Sequence, residues 1–127
     1  MKSIDELNPH HYEVNDNMKK NGDILFERLM EFQDSSNIDF IINSGLRSEG
    51  DQVALINEGK TNAVHSKHLS FSAADINDPE GLLAEWVKNN LDAVTRIGLW
   101  FEDFSHTKGW VHAQIMPPNS GKIIFIP

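Results

Sequence analysis

The sequence contains no cysteine, and this absence restricts its chemistry more than any other feature of the composition. Disulfides, thiolate nucleophiles and zinc sites built on sulfur are excluded, so a metal ion could be held only by His, Asp or Glu. Basic residues are scarce, 11 against 19 acids, for a formal net charge of −8. Affinity for nucleic acid or anionic lipid relies on clustered Lys and Arg, so nucleic acid is not expected as a partner. Long apolar runs are missing too. No window approaches the roughly 18 apolar residues of a membrane span, and Met1-Lys2-Ser3-Ile4-Asp5-Glu6-Leu7 places two acids where a secretory leader would carry its apolar core. The expectation is a protein without membrane insertion, cytoplasmic at synthesis. With no internal repeat, low-complexity tract or Pro/Gly/Ser linker, residues 1–127 are expected to form a single domain, monomeric by default.

What is present suits a globular fold: 127 residues, 39% hydrophobic and 24% charged, with six histidines as candidate carriers of chemistry. A chain of this length can bury roughly two-thirds of the surface that its unfolded form exposes. Val14, Met18, Leu25, Leu29, Met30 and Phe32 fall mostly at helical spacings, although Asn21-Gly22 weakens the run and suggests a start after Asn21. Residues 37–42 read as a short buried strand ending at Asn43-Ser44-Gly45. Ser48 reads as a cap for a helix over 49–58, with Gly59 as its stop. Residues 60–70 read as a loop, followed by a strand through Phe71, Ala73 and Ile76. Asn77-Asp78-Pro79 reads as a cap with Pro at the first helical position, followed by a stripe of Leu82, Leu83, Trp86, Val87 and Leu91. Residues 97–101 and 110–116 read as strands joined by a polar turn, with 122–126 as a third, together a C-terminal antiparallel meander. The expected fold class is α+β, with helices packed on one face of a mainly antiparallel sheet.

The polar chemistry concentrates in Ser66-Lys67-His68-Leu69-Ser70-Phe71-Ser72-Ala73-Ala74-Asp75, with a further histidine at His112. Atoms sharing one Zn²⁺ at about 2.0–2.2 Å lie roughly 3.3 Å apart, whereas seven residues advance about 10 Å in a helix and about 23 Å in a strand. Joint ligation by His68 and Asp75 therefore requires the chain to reverse near 69–72. Asp75 must then return on a strand, and His112 must project from a neighbouring strand.

This segment resembles the zinc-ligand motif S-x-H-x-x-G-x-A-x-D of the D-alanyl-D-alanine carboxypeptidase and L-alanyl-D-glutamate endopeptidase family, with Ser66, His68, Ala73 and Asp75 matching. Upstream, Ser44-Gly45-Leu46-Arg47-Ser48 is similar to that family's S-G-Y-R-S, and Gln52, Leu55 and Gly59-Lys60-Thr61 resemble its following helix and loop. Downstream, Gly109-Trp110-Val111-His112 resembles its final histidine strand. The resemblance implies His68, Asp75 and His112 as ligands of a catalytic zinc ion, and Arg47 facing a substrate carboxylate or a developing oxyanion. It also implies Ser66 hydrogen-bonded near a ligand, and His65 is a candidate cleft residue. The implied substrate is a peptidoglycan stem peptide containing D-amino acids. The implied reaction is metal-assisted amide hydrolysis, as in a phage-type lysis enzyme acting at the cell wall after release or delivery.

Two positions depart from the pattern. Phe71 stands at the motif's glycine, and Gly109 stands where many members carry a catalytic acid three residues before the last histidine. The base must then come from Glu102, Asp103 or His106. Strand alternation lets only one of Glu102 and Asp103 face inward, with Asp103 narrowly preferred. An alternative reading is a non-catalytic phage structural or binding domain that keeps the fold, with or without the metal. Elsewhere, His10-His11 reads as a surface pair and Asp78 as a cap. Trp86, Trp100 and Trp110 read as core or cleft wall rather than a sugar platform. The net negative charge gives no electrostatic help toward an anionic wall, so recognition would be local or supplied by a partner.

Overall fold

The computed structural model describes residues 1–48 and 67–127. The helix expected over 49–58, its stop at Gly59, and the candidates His65 and Ser66 lie outside the described residues. The first α-helix, α1, spans Asp16–Ser36. It opens where the Asn15 side chain accepts from the Met18 amide at 2.8 Å and closes on Asn37, which adopts the left-handed conformation at φ 57°. The expected start after Asn21 is corrected, because the helix runs unbroken through Asn21-Gly22. Gly22 is buried under the ring of Phe71, where a Cβ would stand 2.5 Å from Cε2, and the Asn21 side chain donates through Nδ2 to the Ser70 carbonyl at 3.1 Å. The dipeptide that weakens helix propensity is thus the surface on which the 67–71 turn docks.

The sheet has the order β1-β2-β4-β3-β5, with β1 at Ile42–Ser44, β2 at Ala73–Asn77, β3 at Trp100–Glu102, β4 at Trp110–Gln114 and β5 at Ile124–Phe125. The first strand begins later than residues 37–42 suggest. The Phe40 amide donates to Gln33 Oε1 at 2.8 Å, and its carbonyl accepts from the Met1 amine at 2.7 Å, so its backbone groups are already paired outside the sheet. β1 pairs antiparallel with β2 through Ile42↔Ile76 and Ser44↔Asp75, a one-residue shift in register that brings Ser44 beside Asp75. The last three strands also differ in one respect from a simple antiparallel meander. β3 and β4 form the expected antiparallel pair, whereas β5 lies on the far edge of β3 and runs parallel to it.

Two short helices precede β3: α2 at Leu82–Asn89 and α3 at Leu91–Ile97. Pro79 is not the first helical residue. A turn closed by Gly81 N–H to the Asp78 carbonyl intervenes, and the Asp78 carboxylate caps α2 from beyond it, accepting from Leu83 at 2.9 Å and Ala84 at 3.0 Å. The expected apolar stripe is narrower than read, since Leu83 and Val87 are buried while Leu82 and Leu91 are exposed. Ile97 belongs to α3, which Gly98 ends in the left-handed conformation.

The core lies between the helices and one face of the sheet. Leu25, Leu29 and Phe32 of α1, with Leu83, Val87, Val94 and Ile97, meet Ala74 and Ile76 of β2, Phe101 of β3, and Val111 and Ala113 of β4. Strand alternation turns the intervening residues, Asp75, Trp100, Glu102, His112 and Gln114, to the opposite face. The expected α+β class is therefore observed, and the polar chemistry has a sheet face of its own.

Candidate metal centre

His68 sits in a chain reversal over 67–71. The Ser72 amide donates to the Lys67 carbonyl at 3.0 Å, and the Ser72 hydroxyl donates to the same oxygen at 2.9 Å. Phe71 holds the left-handed conformation at φ 59°, the position of the motif's glycine. A bulky side chain there costs about 1–2 kcal/mol, and burial of the ring against Gly22 offsets it with about 2–3 kcal/mol. The tight turn is therefore kept despite the substitution. The chain then returns along β2 to Asp75, which pairs across the sheet with His112 of β4. The reversal near 69–72 and the two neighbouring strands required from the spacing are both present.

His68 Nε2 and His112 Nδ1 each lie 3.1 Å from Asp75 Oδ1. All three side chains are buried, and among the described residues they form the group whose ligand atoms could hold a metal ion. Their outward atoms are engaged. His68 Nδ1 lies 2.7 Å from the Gly45 carbonyl, which can only accept, so this nitrogen carries a proton. His112 Nε2 lies 2.9 Å from Gln114 Oε1, and the Gln114 amide nitrogen donates to the Met116 carbonyl at 2.7 Å. That second bond orients the amide with its oxygen toward His112, so Nε2 carries a proton as well. Arg47 donates through Nη2 to Asp75 Oδ2 at 3.0 Å and through Nε to Ser44 Oγ at 3.1 Å, leaving Oδ1 turned toward the histidines.

With both outer nitrogens protonated, neutral imidazoles direct two lone pairs at a carboxylate oxygen. Three acceptors then converge with no donor between them. Only a cation resolves this, either a proton on one ring or a metal ion, and the 3.1 Å spacings are close to the roughly 3.3 Å expected of ligands sharing zinc. Two imidazoles and one carboxylate with no sulfur suit zinc chemically. The donor set therefore fits such an ion. The same electrostatics shift the titrations. Burial alone would push the Asp75 carboxyl up, but the charge and hydrogen bonds of His68 and His112 outweigh it and hold Asp75 well below the usual carboxylate range. Burial likewise opposes charge on His112, yet the Asp75 bond and charge, with smaller contributions from Glu102 and Gln114, raise its pKa.

The candidate bases separate. Phe101 points into the core, so Glu102 faces the site side, and the β3–β4 register carried one residue further places it opposite His112. Its charge contributes to the raised pKa of His112. Asp103 lies beyond the strand and caps the 3-10 helix Phe104–His106, accepting from the Ser105 amide at 2.9 Å and the Ser105 hydroxyl at 2.6 Å. The Ser105 bonds lower its carboxyl pKa. His106 is exposed in that 3-10 helix. The geometry thus brings Arg47, His68, Asp75, His112 and Glu102 together, and leaves Asp103 and His106 at the surface. Gly109 occupies a turn at φ 86° in which Trp110 N–H reaches the Thr107 carbonyl, a conformation that disfavours any side chain. Gln114 was not singled out from the sequence, although its spacing of two from His112 on a strand marks it as sharing that face. His10 and His11 are exposed as expected. Trp86 packs on Phe32 with ring centroids 5.6 Å apart, while Trp100 and Trp110 are half-buried on strand positions that share the site face.

No protein-family model and no curated protein matches the sequence. Among solved structures, the fold is similar to that of Serratia marcescens L-Ala D-Glu endopeptidase ChiX, with a TM-score of 0.57 and 18% identity, over 90% of this chain and 97% of that one. The chain therefore shares the fold of a protein described as an L-Ala D-Glu endopeptidase.

Proposed function

We propose that the protein is a zinc-dependent peptidase that hydrolyses an amide bond in peptidoglycan stem peptides, of the L-Ala-D-Glu or D-Ala-D-Ala type. The observation that carries this reading is that His68 Nε2 and His112 Nδ1 each lie 3.1 Å from Asp75 Oδ1, with each outward imidazole nitrogen hydrogen-bonded. The fold shared with an L-Ala D-Glu endopeptidase favours that bond over D-Ala-D-Ala. His68, Asp75 and His112 would hold the ion, which when bound supplies a Lewis acid for the scissile carbonyl and acidifies water. Arg47 holds the second oxygen of Asp75 and fixes the direction of the first. Glu102, on the site face opposite His112, is the group that takes a proton from the attacking water and returns it to the leaving amine. Asp103, preferred from the sequence, serves the surface 3-10 helix instead.

The test is incubation of zinc-loaded protein with purified peptidoglycan and defined muropeptides, followed by mass spectrometry and quantitation of new amines. Cleavage is expected. Glu102→Gln should keep zinc while losing about 10²–10⁴ of the rate, and Asp103→Asn should cleave like the wild type. Bound zinc without cleavage over a wide substrate set would favour the non-catalytic alternative that Gly109 suggests. Undiminished cleavage by Glu102→Gln would remove it as the base.

A further inference from the structure

The two histidines of the centre present different nitrogens to it, His68 through Nε2 and His112 through Nδ1. His68 is set by a backbone carbonyl, that of Gly45, which no side-chain substitution can remove. His112 depends on a side chain. Gln114 lies two residues along the same strand, is 4% exposed, and spans from His112 Nε2 at 2.9 Å to the Met116 carbonyl at 2.7 Å. An amide is the side chain suited to both ends. Its nitrogen donates to Met116, and this forces its oxygen toward the imidazole, where it accepts and keeps the proton on Nε2.

We propose that Gln114 is a positioning residue of the metal centre: anchored on the Met116 carbonyl, it selects which nitrogen of His112 faces the ligand position. The inference rests on the zinc reading but concerns a residue that touches neither metal nor substrate. Groups that hydrogen-bond the distal nitrogen of a ligating histidine fix its orientation and tautomer, and their loss typically lowers metal affinity by about 10–100-fold. Without Gln114, the ring loses the acceptor that keeps its proton on Nε2, and only the Asp75 contact and its packing against His68 and Phe125 remain to orient it. The buried strand face around it is otherwise held by the β2–β4 ladder, which the substitution leaves intact.

Three variants separate this role from packing. Gln114→Met fills nearly the same volume without an acceptor, Gln114→Glu keeps an acceptor, and Gln114→Leu removes both reach and polarity. Zinc affinity by competition titration is expected to fall about 10–100-fold in the Met and Leu variants and to stay closer to the wild type in Gln114→Glu, even though that variant loses the bond to the Met116 carbonyl. In the metal-free protein at mildly acidic pH, the His112 Nε2–H proton should be protected from exchange in the wild type and in Gln114→Glu, and unprotected in Gln114→Met. Wild-type zinc affinity in Gln114→Met, or a protected Nε2–H in that variant, would overturn the proposal. Absence of zinc binding by the wild type would overturn the metal reading, while the exchange measurement would still decide what Gln114 does.

Discussion

Replacing Gly22 by alanine probes the packing that holds His68 in place. In an unobstructed helix interior this change stabilises by about 1 kcal/mol. Here the new Cβ would stand 2.5 Å from Cε2 and 2.6 Å from Cδ2 of Phe71, roughly 1 Å inside ordinary contact. The ring has little room to withdraw: Phe71 is 4% exposed, and its backbone is pinned at φ 59° in the turn that follows His68. Overpacking of this kind costs about 1–3 kcal/mol, which cancels or outweighs the helix gain, so the net expectation is a destabilisation of up to about 2 kcal/mol. In a Phe71→Gly background the obstruction is gone and the same substitution should become stabilising by about 1 kcal/mol. Urea unfolding of the four metal-free proteins gives the coupling energy directly, expected at about 1–3 kcal/mol. A stabilising Gly22→Ala in the wild-type background, or additive effects in the double mutant, would refute the packing argument.

Three further outcomes follow from the geometry of the centre. In the metal-free protein, the raised pKa of His112 contributes stability that is complete below about pH 6.5 and lost as pH rises through the folded value. Asp75 contributes stability above about pH 4 that is lost only as pH falls through its depressed value. The metal-free Tm should therefore decline on the alkaline side, while the rise in Tm on adding zinc should grow with pH, because zinc must displace the His112 proton; a zinc effect that shrinks with pH would contradict this. Arg47→Met removes a donor to Asp75 in a site where the two side chains are 14% and 9% exposed, and should cost about 1.5–3 kcal/mol by chemical denaturation. An unchanged unfolding midpoint would contradict that pairing. Asp78→Ala uncaps two amides of α2 and should cost about 1–2 kcal/mol while leaving zinc affinity untouched, so a loss of zinc in that variant would count against its role as a cap alone.

Much of the centre was legible in the sequence because its constraints are local. The spacing of His68 and Asp75 demanded a reversal, and the strand character of residues 73–76 and 110–115 supplied the two rails that carry Asp75 and His112. Asp78 was legible as a cap for the same reason, although an inserted turn moved the helix start to Leu82. What escaped depends on contacts between distant segments. Asn21-Gly22 reads as a helix weakness until Phe71 and Ser70, some 49 residues away, are seen to dock there. The start of β1 is set by Gln33 and the Met1 amine, which take the backbone groups of Phe40. Which of Glu102 and Asp103 shares the face of His112 turns on register, and the placement of Phe101 in the core assigns that face to Glu102. The parallel pairing of β5 follows from its position on the far edge of β3, which periodicity does not encode.

The central claim is that His68, Asp75 and His112 form one metal site. Isothermal titration of zinc into the metal-free protein, repeated on His68→Ala, tests it most directly. The account predicts uptake of about one zinc ion per wild-type chain, as expected of a three-ligand site, and loss of that uptake in His68→Ala. A wild-type chain that takes up no zinc, or a His68→Ala variant that binds it undiminished, would contradict the account.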